Sequence, residues 1–111
     1  MAKNPNTWKK FETFVAKRLG GKRRGAYTGD GRKGKSDIVR PQPGVPWFSV
    51  EVKYSARPSW GLLVDAVEQA RRASETPLDI PIAVVKKKGM ASSLALVVMR
   101  LDDFAEHFGD G

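Results

Sequence analysis

The chain has no cysteine, a single histidine and no apolar run approaching the ~20 residues needed to cross a bilayer. The first absence excludes disulfides, thiolate zinc sites and thiol nucleophiles, and His107 alone cannot build a histidine metal site. Any metal must therefore be held by oxygen. The segment "MAKNPNTWKK" lacks the apolar stretch of a secretory signal, so a cytoplasmic protein with no membrane partner is expected. Acidic residues are also scarce, with 12 Asp and Glu against 20 Lys and Arg and a net charge of +8. That balance favours a polyanionic partner, because neutralising phosphates releases condensed counterions. Nucleic acid is the first candidate.

The 111 residues make one domain, 1–111, whose 41% hydrophobic and 29% charged residues suit a folded protein with a modest core. Asn4 and Pro5 read as a helix start, and Trp8, Phe11, Val15 and Leu19 recur at helical spacing until Gly20 and Gly21 end the run. Stepping 100° per residue puts Glu12 inside that apolar arc, with Lys9, Lys10, Thr13 and Lys17 opposite. A carboxylate on an inward face calls for a partner, a metal or a cleft; a boundary residue reaching solvent is the plainer alternative.

Residues 20–36, "GGKRRGAYTGDGRKGKS", combine six glycines with Lys22, Arg23, Arg24, Arg32, Lys33 and Lys35, a composition suited to bringing backbone amides and cations onto phosphates. The run from Gly29 to Ser36 has the glycine separation of a phosphate-binding P-loop, but no strand precedes it and an extended segment follows. A chain of this length also leaves no room for the parallel sheet and magnesium-binding acid of an ATPase.

"SDIVR" (36–40) reads as a short strand, turned by "PQPGVP" (41–46) into a second strand, Trp47 to Tyr54, and the two are expected to form a hairpin. Phe48, Val50, Val52 and Tyr54 fall on one side of the pleat and Ser49, Glu51, Lys53 and Ser55 on the other, as on a wet sheet face. After a Ser59 cap, a helix runs to about Glu75; "IPIAVV" (80–85) and "LALVVM" (94–99) read as central, doubly covered strands joined by the basic turn "KKKGMASS". Asp102 is expected to cap a last short helix. The order of helix, strands, helix, strands and helix implies an α/β fold with a mixed sheet covered by helices.

Asp37 at the start of its strand can thus approach Glu51 and Lys53, with Glu12 a possible fourth member. Two carboxylates on neighbouring strands can hold Mg²⁺, which keeps several waters, and phosphodiester hydrolysis uses such a metal. Lys53 could orient a water or stabilise charge on the phosphorane oxygens.

"SDIV" followed by "EVK" resembles the motif of the PD-(D/E)XK nuclease superfamily. With the inward glutamate, the basic glycine-rich segment and the order of elements, residues from about Trp8 to Leu101 are similar to the archaeal-type Holliday junction resolvases, which are also encoded by phages. The resemblance implies a restriction-endonuclease-like fold of α-β-β-β-α-β-β order around a five-stranded mixed sheet. It implies a homodimer that cuts four-way DNA junctions with Mg²⁺, Mn²⁺ substituting, in the nucleoid or in an infected host cell. Glu12, Asp37 and Glu51 would be the acidic metal-site residues, Lys53 the catalytic lysine, and Arg23, Arg24 and Ser36 would lie at the DNA-contacting or active-site rim. Lys22, Arg32, Lys33 and Lys35 would join them in binding DNA. Two other expectations stand beside it: a repair or restriction-like nuclease of the same superfamily, and a non-catalytic basic DNA-binding protein.

Overall fold

A computed structural model describes residues 7–25 and 35–110. Helix α1 (Thr7–Leu19) buries Phe11, Val15 and Ala16 on the stripe that its spacing marks out. The Asn4 and Pro5 start lies outside the described residues, as does the segment 26–34. Gly20 ends the helix in the left-handed region (φ +94°), and the N–H groups of Gly20 and Gly21 both donate to the Ala16 carbonyl at 2.9 Å. Gly21 is needed for a different reason. A Cβ there would stand 2.6 Å from the Val39 carbonyl and 2.8 Å from both Ile38 and Trp47.

Two short strands follow, β1 (Lys22–Arg23) and β2 (Ile38–Val39), paired antiparallel with Lys22 opposite Val39 and Arg23 opposite Ile38. β3 (Phe48–Ser55) leads into helix α2 (Trp60–Arg72), which returns the chain to β4 (Ile80–Lys87) beside β3 and parallel to it. β5 (Leu96–Val98) pairs antiparallel with β4 after a single 3-10 turn at Ser92–Leu94, and helix α3 (Leu101–Phe108) follows. The larger sheet is therefore mixed, in the order β3-β4-β5, and the fold is α/β.

Both faces of that sheet are covered. On one, Phe11, Val15 and Ala16 of α1 meet Ile38, Val50, Val52, Ile82 and Val84; on the other, Ala66 and Val67 of α2 meet Ala83 and Val85. Small residues on α2 allow close approach, and the buried Ser49 hydroxyl donates to the Ala70 carbonyl at 2.6 Å. Ser59 caps α2 as its sequence suggests, its Oγ accepting from the Leu62 N–H at 3.1 Å.

Several expectations need correction. The 36–40 strand shrinks to two residues and its ladder partner is β1, so no hairpin ladder joins β2 to β3; one backbone bond, Asp37 N–H to the Val50 carbonyl at 2.9 Å, links them. Pro41 and Pro46 offer no N–H to a ladder, and Arg40 turns inward to donate to the Val45 carbonyl and to Asp79. The five strands among the described residues accordingly divide into a pair and a three-stranded sheet. Ser49 and its neighbours do not form a wet face, because α2 lies over it. β5 is an edge rather than a central strand: β4 is its sheet neighbour, and Leu96 and Val97 are exposed. Helix α2 stops three residues early, where Asp79 gathers the N–H groups of Glu75 and Thr76 into a turn. Helix α3 begins at Leu101 with no side-chain cap, Asp102 standing within its first turn.

Asp79 also accepts two bonds from Arg40, at 3.0 and 2.5 Å, and one from the Trp47 N–H. Burial opposes its ionised form, but the guanidinium, the hydroxyl of Thr76 and these N–H groups outweigh that and hold it well below the usual carboxylate range. This clip ties the 41–46 turn to the start of β4. No helix among the described residues is long and apolar enough to cross a membrane. Helix α3 buries none of its residues, and Leu101, Phe104 and Phe108 all face outward.

Candidate active site

Burial declines along β3 from Ser49 through Glu51 to Lys53, all on the α2 side of the pleat, so the charged pair runs from the middle of the strand toward its C-terminal end, alongside the parallel β4. Glu51 Oε2 and Lys53 Nζ are 3.6 Å apart. Asp37 arrives from the other side. Its backbone donates to Val50, and its Oδ2 accepts from the Val52 N–H at 2.8 Å, so the carboxylate is pinned across the edge of β3 beside Glu51.

The electrostatic consequence falls on Glu51. Burial first, then the negative charge of Asp37, raise its pKa from 4.5 to about 7, against the opposing pull of Lys53; Glu12 adds a weaker upward push. Two half-buried carboxylates that repel each other beside an ammonium form a site in which a divalent cation would relieve the repulsion. A hard cation such as Mg²⁺, keeping several waters, fits this pair of oxygen donors.

Glu12 takes another partner. The inward carboxylate that the helical spacing marks out is buried, and Arg23 Nε donates to its Oε1 at 2.7 Å. Among the described residues no group of three or more His, Cys, Asp or Glu side chains could hold a metal. As placed, Asp37 and Glu51 thus stand together without Glu12 as a third ligand.

The expected DNA-facing residues separate in the same way. Lys22 and Lys35 are exposed. Arg23 is committed to Glu12 and lies over the ring of Trp8, with 5.4 Å between Cζ and the ring centroid. Arg24 is a structural tie, its Nε donating to the Ser36 carbonyl at 2.6 Å and its guanidinium lying 3.7 Å from Glu75. Ser36 is buried and its hydroxyl donates to the Ile38 carbonyl at 2.8 Å, so neither Arg24 nor Ser36 lines a rim. Arg32 and Lys33 lie outside the described residues. No helix follows Lys35, in keeping with the rejection of a P-loop.

Residues read only as a strand end and a basic turn stand next to this site. Parallel register sets Tyr54 opposite Lys86 and Ser55 opposite Lys87, and the Lys88 N–H donates to the Ser55 carbonyl at 2.9 Å. The signal was available in sequence. A helix crossover between "EVKYS" and "AVVKKK" makes parallel strands, whose basic and aromatic ends must then adjoin.

No protein-family model, curated protein or solved structure matches the chain.

Proposed function

We propose that the protein is a Mg²⁺-dependent DNA endonuclease of PD-(D/E)XK type, with a four-way junction as its substrate. The observation that carries this reading is the assembly of Asp37, Glu51 and Lys53 at one strand end, with the Glu51 carboxyl raised to about 7 by burial and by Asp37. Pinned acids with a perturbed proton affinity mark functional sites more often than surface ion pairs do. A mixed α/β fold with the element order α-β-β-β-α-β-β and a terminal helix supports the reading, and the net charge of +8 suits a phosphate backbone.

In this proposal Asp37 and Glu51 hold the cation, which when bound would supply a water nucleophile at neutral pH and neutralise charge on the phosphorane oxygens. Lys53, whose ammonium lies 3.6 Å from the Glu51 carboxylate, would stabilise charge on a non-bridging phosphate oxygen or orient the attacking water. Glu12 enters the site only by sharing or releasing Arg23; in its present place it positions that arginine beside Trp8. Lys22 and Lys35 extend the basic surface toward flanking phosphates.

The proposal includes a second copy of the chain, since paired cuts in a twofold substrate suit paired sites. The uncovered apolar surface of α2 and α3 supports it. Trp60 is 80% exposed, Leu101 78%, Phe108 55% and Phe104 50%. Together these side chains offer on the order of 500 Å², a large share of the ~800 Å² that each partner contributes to a standard interface.

The test offers labelled four-way junction, Y-fork and linear duplex to the protein with Mg²⁺, with EDTA, and as the Asp37→Asn variant. Cleavage of the junction that needs both the metal and Asp37 is expected. Junction binding without cleavage under any divalent metal would remove the enzyme, leaving a basic DNA-binding protein. Equal cutting of linear duplex would remove the junction in favour of a repair or restriction-like nuclease.

A further inference from the structure

Beside Lys53, on the α1 side of the sheet, opens a cavity of ≈ 340 Å³ lined by Trp8, Glu12, Val52, Lys53 and Tyr54. That volume falls at the lower end of the ~300–1,000 Å³ typical of small-ligand sites. Its two aromatic walls differ in character. Tyr54 is backed by the buried ring of Phe11, 6.3 Å away between centroids, and is therefore a fixed surface. Trp8 leaves 40% of its surface to solvent although it belongs to the inward arc of α1. That exposed part of the indole is available to a ligand.

Loosely held cations lie over these rings, Lys9 and Arg23 over Trp8 and Lys86 and Lys88 over Tyr54. Arg23 stands 5.4 Å from the Trp8 centroid, Lys86 Nζ 5.5 Å and Lys88 Nζ 6.0 Å from that of Tyr54, all near the outer limit of cation-π contact. Lys86 is held in place by Ser92 Oγ at 3.1 Å. The acid in the cavity wall, Glu12, is matched by Arg23 at 2.7 Å, so the wall carries no uncompensated negative charge to repel a polyanion. Aromatic rings with loosely held cations over them combine what a single-stranded nucleic acid requires: stacking surface that a base can take over from a cation, and cations for its phosphates.

We propose that this cavity receives one unpaired DNA base, stacked against Trp8 and Tyr54, while Lys86 and Lys88 hold the adjoining phosphates. The proposal rests on the reading of this strand end as the nucleic-acid face, not on cleavage. It names what the neighbouring acids would act beside: a position where the duplex is interrupted and a base is free to leave the stack. Tyr54 and Lys53 are consecutive, so a base in the cavity would set its own phosphate next to the lysine.

The experiment uses the full chain in EDTA with two DNAs of one sequence, one with a single 2-aminopurine left unpaired in a bulge and one fully paired. Wild type should bind the bulged DNA roughly tenfold more tightly, from the free energy of stacking one base, and quench its 2-aminopurine emission. Trp8→Ala should erase that preference and the quenching while changing affinity for the paired duplex less than about twofold, whereas Trp8→Phe should retain most of both. Equal affinity of wild type for the two DNAs, or a preference that survives Trp8→Ala, overturns the proposal. Binding to neither DNA overturns it together with the nucleic-acid reading. Bulge preference without junction cleavage in Mg²⁺ leaves the base site standing and removes the nuclease.

Discussion

Glu51→Gln should make the metal-free protein more stable at pH 8, although it removes a charge that has an ion-pair partner. The folded state holds the Glu51 carboxyl at about 7 against an ordinary 4.5. Between those values the native state keeps a proton that the unfolded chain has lost, so stability falls as pH rises through this window and is lowest above it. The gap corresponds to about 3 kcal/mol at full ionisation. Glutamine imitates the protonated form and can still accept from Lys53. Wild type and variant, unfolded by urea in EDTA, should therefore have nearly equal stability at pH 4, and the variant should lead by about 1–3 kcal/mol at pH 8. Taking the difference between the two proteins cancels the titrating groups that do not interact with Glu51. Mg²⁺ should reverse the order, stabilising wild type by about 2.7 kcal/mol at a hundred times its dissociation constant and leaving the variant unmoved. A variant no more stable than wild type at pH 8, or a difference that does not change between pH 4 and pH 8, would refute the crowding of Glu51 by burial and by Asp37. Asp37→Asn supplies an independent check: with that charge gone, the Glu51 carboxyl titrates lower in an NMR pH series.

The remaining predictions concern the frame and the surface. Asp79→Ala leaves the buried Arg40 with Glu75, at 3.2 Å, in place of its two-pronged partner and should cost about 3 kcal/mol in urea unfolding. Because Asp79 lies well below the ordinary range when folded, the stability it contributes is present above about pH 4 and lost as pH falls further; Asp79→Asn should flatten that acid limb. Gly21→Ala drives a methyl group into the Val39 carbonyl and should lower stability by about 1–3 kcal/mol, seen as an earlier denaturant midpoint with an unchanged slope. Leu101→Asp should leave the fold intact, since the side chain is exposed, but reduce the light-scattering mass at micromolar concentration from two chains to one; a wild-type mass of one chain would count against paired sites. Junction affinity should fall steeply with salt, the logarithmic slope shrinking by about one for each phosphate-contacting lysine removed.

What sequence disclosed and what it withheld divide along a physical line. Features set by local chemistry were legible: the Ser59 cap and the apolar stripe of α2, the glycine end of α1, the inward turn of Glu12, and the common pleat face of Glu51 and Lys53. These depend on period and on residue type alone. Features set by what lies across a gap in the chain were not. A two-residue ladder such as Lys22–Arg23 with Ile38–Val39 leaves no alternation to read. An apolar run such as "LALVVM" looks the same whether it becomes a sheet centre or an uncovered edge, and only the sheet order decides. Arg23 looks like any other cation of a basic segment until the fold sets it against Glu12.

Parallel register has a further consequence for the site itself. Consecutive residues of β3 point to opposite faces, so Glu51 and Lys53 stand on the α2 side with Ala83, while Val52 and Tyr54 stand on the α1 side with Ile82 and Val84. One strand end therefore presents an acid pair on one face and an aromatic, cation-rimmed cavity on the other, with Lys53 bordering both. A duplex lying flat against either face would meet half of this arrangement. A strand that leaves its duplex can pass around the end of β3, its base toward Trp8 and its phosphate toward Glu51 and Asp37. The geometry thus ties selectivity for interrupted DNA to the pleat of a single strand, and the charge and aromatic variants separate the two faces experimentally.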